Sequence, residues 1–183
     1  MKRLFVVFMI AFMLVGSALA EGTDASFVFR DGVRWGMTTD EVKSCESIEP
    51  FSEGGSTDAL NHLHYGPVTI GKWEDAYLEY LLTQNYLSCI IYTNIPGAQH
   101  TYLHGALSSK YGNSTSVKAE EIASLLQSFN KTTEYGSITQ GSQWRLADGT
   151  CIYQFMYMDS TFIVYVAPSF SPDPDGKFDT TGM

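Results

Sequence analysis

The chain has little cysteine, little positive charge and only one long apolar run. Three cysteines (Cys45, Cys89 and Cys151) among 183 residues allow at most one intrachain bridge and leave a thiol over. A disulfide framework is therefore excluded as the main source of stability, which must come from a core. Eleven Lys and Arg stand against twenty Asp and Glu, a net charge of -9, and the basic residues form no cluster. That balance excludes a nucleic-acid binder, whose affinity rests on a cationic surface. The same acid surplus favours solubility. No serine sits in a G-x-S-x-G elbow and no glycine run fits a phosphate loop.

The single long apolar run covers residues 4–15, after Lys2 and Arg3, and is followed by Ala18-Leu19-Ala20. A basic start, a short apolar stretch and small residues at the cleavage positions predict a signal peptide over 1–20, cut before Glu21. The run is too short for a comfortable membrane span. Cleavage leaves 163 residues with a net charge of -11, the size of one domain. No cysteine stands at the cleavage point, so no lipid anchor is expected, and the mature chain should be secreted or extracytoplasmic, in periplasm or cell envelope, without a stable membrane anchor. From Pro168 the composition turns to "PSFSPDPDGKFDTTGM", which predicts a disordered, acidic, proline-rich tail over 168–183. The domain is expected over 21–167.

Two aromatic-rich blocks, from Trp73 and from Trp144, read as hairpins with polar turns at Thr83-Gln84-Asn85 and Asp159-Ser160. Strand-like stretches precede them at 63–70 and 134–138, and helices are predicted over 39–47, 97–111 and 117–129. In the last, Ile122, Leu125, Leu126 and Phe129 form one apolar stripe. The order predicts an α+β fold of two similar halves, each a helix followed by an antiparallel β-meander, with the helices packed on one side of the sheet.

The stretch "DGVRWGMTTDEVKSCE" (31–46) is the most distinctive in the chain. Thr38 and Glu41 fit a capping box, and Met37 and Val42 fit the hydrophobic staple beside it. Asp40 and Glu41 suit the positive end of the helix dipole. Gly36 supplies a turn and Trp35 a core anchor. Every element has a folding task. Val42 and Cys45 point the same way, so Cys45 and Cys89, on a neighbouring strand, are the expected pair if a bridge forms.

The segments "FRDGVRWGMTTDEVK", "LSSKYG" and Trp144 to Ile152, which contains Asp148-Gly149-Thr150, together resemble a group of exported bacterial proteins of unknown function. Those proteins share a WGM-S/T-x-x-E-V-K opening, a helix ending in K-Y-G and a late W…D-G-T hairpin. The arrangement is more distantly similar to small outer-membrane-assembly lipoproteins and to the β-lactamase-inhibitor-protein fold. The resemblance implies a fold used to bind other proteins.

Side chains with possible chemistry are few. His62 and His64 alternate along a strand, and His100 and His104 are one helical turn apart, so each pair could present two imidazoles to one metal ion such as zinc. Neither pair carries the acid of an H-E-x-x-H motif. Asp40/Glu41, Glu74/Asp75 and Glu120/Glu121 are neighbours where capping or solvation explains them. Cys89 and Cys151 sit among apolar strand residues, as inert thiols do. Tyr77, Tyr80, Tyr153 and Tyr157 are candidates for a recognition surface on the uncovered face of the sheet. The expected function is a non-enzymatic module binding a protein, peptide or envelope component, with no cofactor and no nucleic acid. The alternative is a metal-dependent or cysteine-based envelope hydrolase.

Overall fold

The computed structural model describes residues 27–57, 60–131 and 137–170. The expected signal peptide, the tail beyond Phe170 and most of the strand expected over 134–138 lie outside the described residues. Along the chain run α1 (Thr39–Cys45), β1 (Ser52–Thr57), β2 (Leu60–Ile70), β3 (Trp73–Thr83), β4 (Tyr86–Pro96), α2 (His100–Tyr111), β5 (Thr115–Ser116), α3 (Ala119–Ser128), β6 (Ile138–Arg145), β7 (Cys151–Tyr157) and β8 (Ser160–Val166). No helix among the described residues is long and apolar enough to cross a membrane.

The strands form one antiparallel sheet in the order β1-β2-β3-β4-β8-β7-β6-β5. The β3–β4 hairpin closes on Gln84 and Asn85, both with positive φ (52 and 69), as a type I′ turn demands. The β7–β8 turn falls on Met158 and Asp159, one residue earlier than the sequence suggests. Met158 takes the left-handed conformation, and Ser160 already pairs with Tyr157.

Side chains alternate across the sheet, and both faces are buried. On the first face Leu78, Tyr80, Ile90, Tyr92, Ile152, Ile163 and Tyr165 join Val33 and Val42 of the N-terminal segment and Leu103 and Leu107 of α2. On the second face Leu81, Cys89, Ile91, Cys151, Tyr153, Phe155, Val164 and Val166 pack under Ile122, Leu125, Leu126 and Phe129 of α3. The expectation of helices on one side is therefore corrected: α1 and α2 lie on one face and α3 on the other. Residues 78–82 and 151–155 are buried without a break. Strands with one solvated face alternate instead, so these runs require cover on both sides.

The opening motif and the two later motifs meet in space as structural stitches. Thr38 caps α1, accepting from Glu41 N at 3.4 Å while Glu41 Oε2 accepts from Thr38 N at 2.8 Å. Gly36, at φ 77, turns the chain so that its N–H reaches the carbonyl of Leu87 (3.0 Å) and the carbonyl of Met37 accepts from Leu87 N (2.8 Å). The Trp35 indole stacks on Phe27 and donates to Thr150 Oγ1 at 2.8 Å. Asp148 accepts from Phe27 N at 2.7 Å and from Thr150 N at 2.9 Å. Trp144 in turn donates to the carbonyl of Gly112, just past α2, at 3.0 Å.

No disulfide joins any two of the three cysteines. The pairing expected for Cys45 and Cys89 is corrected, because Cys45 packs on the first-face core and Cys89 on the second. Cys89 and Cys151 share a face, but both lie opposite Val166, so β8 separates them. Two strand spacings, about 9–10 Å, exceed the span of a disulfide.

Candidate functional site

Alternation on β2 places His62 and His64 on the second face, opposite Leu81 and Glu79 of β3. This is the β1–β3 end of the face, away from β6, and its side chains are only partly covered. The His62 and His64 rings lie 4.8 Å apart. Gly54 of β1 pairs with His62, and the imidazole lies over it, 3.7 Å from the place a Cβ would take. Phe51 leads into β1 with its N–H on the carbonyl of His64. Its ring sits 5.8 Å from both His64 and Tyr77. Tyr77 in turn crosses Gly66, where a Cβ would collide with it. Gly66 thus makes room for the Tyr77 ring. Phe51 remains 60% exposed and Tyr77 45%.

Beneath the imidazoles lies Glu79, a carboxylate within the apolar stretch 76–82 of β3 and only 8% exposed. Burying a charge requires partners. His64 Nε2 is 2.7 Å from Glu79 Oε1, and Lys131, just beyond α3, places Nζ 2.5 Å from the same oxygen. Burial first and His64 second hold His62 below its ordinary value, so it is neutral near pH 7. Cys89 lies close by, its thiol pushed up by burial and by Glu79, which leaves it protonated and unreactive.

A second buried polar cluster does structural work on the first face. The Glu46 side chain is fully enclosed; Tyr80 donates its hydroxyl to Oε1, and Arg30 lies 3.4 Å from Oε2. Burial and Glu46 push the Tyr80 phenol far up, so it stays a neutral donor. Burial likewise takes Tyr92, beside Arg30, to about 12. These contacts clamp both ends of residues 30–46 to β3 and β4 and leave the carboxylate engaged.

The expected histidine pairs do not meet. His62 and His64 occupy the second face, whereas His100 and His104 belong to α2 on the first, where the carbonyl of His100 accepts from Gln154 and the His104 ring packs 5.2 Å from Trp144. Among the described residues no group of three His, Cys, Asp or Glu side chains is placed to hold a metal ion. The tyrosine surface is corrected in part. Tyr80 is fully buried on the first face and Tyr153 buried on the second, because helices cover both; Tyr157 is half-buried against Phe162, and Tyr77 alone of the four is exposed.

Phe51, Glu79 and Lys131 escaped the sequence reading. Glu79 had a signal: it interrupts the apolar run "AYLEYLL". Lys131 had none, since 52 residues separate it from its partner. With this geometry in view, no protein-family model matches the chain, nor does any curated protein or solved structure.

Proposed function

We propose that the protein is an exported, non-enzymatic α+β module that binds a protein, peptide or other envelope component through the face built by Phe51, His62, His64 and Tyr77. The observation that carries this is the pair of adjoining exposed rings, Phe51 and Tyr77, continuous with two imidazoles beside the edge strand β1. Grouped exposed aromatics mark surfaces that a partner covers, since each ring gives a large contact at low entropic cost. The apolar run ahead of Ala18-Leu19-Ala20 supports export. The strand order, two meanders abutting at β4 and β8, supports an origin as two related halves. The stitching of the WGM, K-Y-G and D-G-T segments supports a scaffold role for the residues that carry the family resemblance.

A hydrolase is less well supported. Cys89 and Cys151 are fully buried, and Glu46 and Glu79 are already engaged by phenol, guanidinium, imidazole or ammonium. The test is capture from the native envelope or culture fraction on immobilised mature protein, wild type against F51A/Y77A. Tyr86 and Tyr102, 56% and 44% exposed elsewhere, serve as controls. Selective loss of one component with F51A/Y77A, at unchanged melting temperature, is expected. Retention of every component by F51A/Y77A contradicts the proposal.

A further inference from the structure

We propose that this face takes a carboxylate-rich extended segment of a partner protein, and that protons on His62 and His64 switch its binding on. The inference rests on the binding reading above and adds the chemistry of the partner. Its first support is charge. The chain carries -9 overall, yet the groups gathered here are two imidazoles and one ammonium around one buried acid. With the imidazoles neutral, Lys131 and Glu79 cancel; with both protonated, the patch carries two positive charges.

The groups facing the pair can be named element by element. β1 contributes Ser52 and Gly54, opposite His64 and His62, with no charge. β3 contributes Tyr77 and Glu79, β4 the buried thiol of Cys89, and the end of α3 Lys131. Glu53 lies opposite Leu63 and therefore turns to the first face, where it pairs with Lys43. No acid among these described groups besides Glu79 competes for the protonated rings.

The second support is access. β1 ends the sheet, so its outer edge has no strand beside it among the described residues. An extended chain can add to such an edge through backbone hydrogen bonds. Its alternate side chains would cross Ser52 and Gly54, two small residues, to reach the imidazoles. Phe51 and Tyr77 then give an apolar neighbour to the charge contact. Bound carboxylates favour the imidazolium form, so binding takes up protons and strengthens as pH falls.

The test is fluorescence anisotropy on the mature chain, using a labelled short peptide of alternating glutamate and phenylalanine and its glutamine counterpart. At about pH 5.5 glutamate is still ionised and an imidazole of ordinary pKa is largely protonated, while burial moves proton uptake at His62 to lower pH. The glutamate peptide should bind roughly tenfold tighter there than at about pH 7.5, and the glutamine peptide should show no such difference. H62Q/H64Q should erase the pH dependence, whereas F51A/Y77A should weaken binding at both pH values alike. Equal affinity for the two peptides at acid pH, no binding of the glutamate peptide, or a pH dependence that survives in H62Q/H64Q overturns the inference. If the captured envelope component still depends on Phe51 and Tyr77 after such a result, the binding reading stands and only the proton switch falls.

Discussion

Replacing Thr150 by valine keeps the shape of a fully buried side chain but removes the hydroxyl that accepts the Trp35 indole N–H at 2.8 Å. The same hydroxyl donates to Asp148 Oδ2 at 3.1 Å, whereas the backbone contact from Thr150 N to Asp148 survives. A donor stranded in a partly buried site costs more than one net hydrogen bond, so T150V should lose about 2 kcal/mol. At this chain length that corresponds to roughly 4–8 °C in melting temperature. W35F removes the donor and keeps most of the ring. Because both single changes break one contact, the double variant should fall short of their sum by about 1 kcal/mol. Urea unfolding of all four proteins, followed by far-UV circular dichroism, measures this coupling, and equal m-values would show that the denatured state is unchanged. A cycle with no coupling, together with loss of partner binding in W35F, would refute the structural account of the WGM segment and make it a ligand contact.

Other outcomes follow from the same geometry. T38A should cost about 1 kcal/mol, the usual loss for an N-cap, without changing partner capture. Y80F leaves the enclosed Glu46 carboxylate with Arg30 alone and should cost about 2–3 kcal/mol in denaturant titration. Burial first and His104 second hold His100 below its ordinary value of 6.5, so the unfolded chain takes up the proton before the folded one. Stability from His100 is then fully present above pH 6.5 and lost as pH falls through its lower folded value; the urea midpoint should drop on acidification, and less so in H100N. Titration with a thiol reagent should count three free thiols in denatured, unreduced protein, with Cys45 reacting first in the native state; a Cys45–Cys89 bridge would contradict the assignment of those residues to opposite faces.

Local interactions were readable from the sequence. The capping box at Thr38 and Glu41, the two aromatic hairpins and the apolar stripe of α3 each depend on residues a few positions apart, and their periodicity or spacing shows directly. Facing was harder. The stripe of α3 announces that the helix packs, but not on which side, and only the unbroken burial of residues 78–82 and 151–155 reveals cover on both faces. Contacts across long separations were not legible at all. Trp35 and Thr150 are 115 residues apart, and Glu79 and Lys131 are 52 apart, so nothing local announces either pair. The candidate face was half legible: the alternation of His62 and His64 placed them together, while Phe51 joined them only through the pairing of β1 with β2.

A partner that covers the open end of the second face, around Phe51, must touch the rings exposed there. Photo-crosslinking from single positions in the living source cell tests this most directly, with a photoreactive residue placed in turn at Phe51, Tyr77, Tyr86 and Tyr102, all exposed rings. One discrete adduct is expected from positions 51 and 77 and none from 86 and 102. Adducts formed from 86 or 102 but not from 51 and 77 would contradict it.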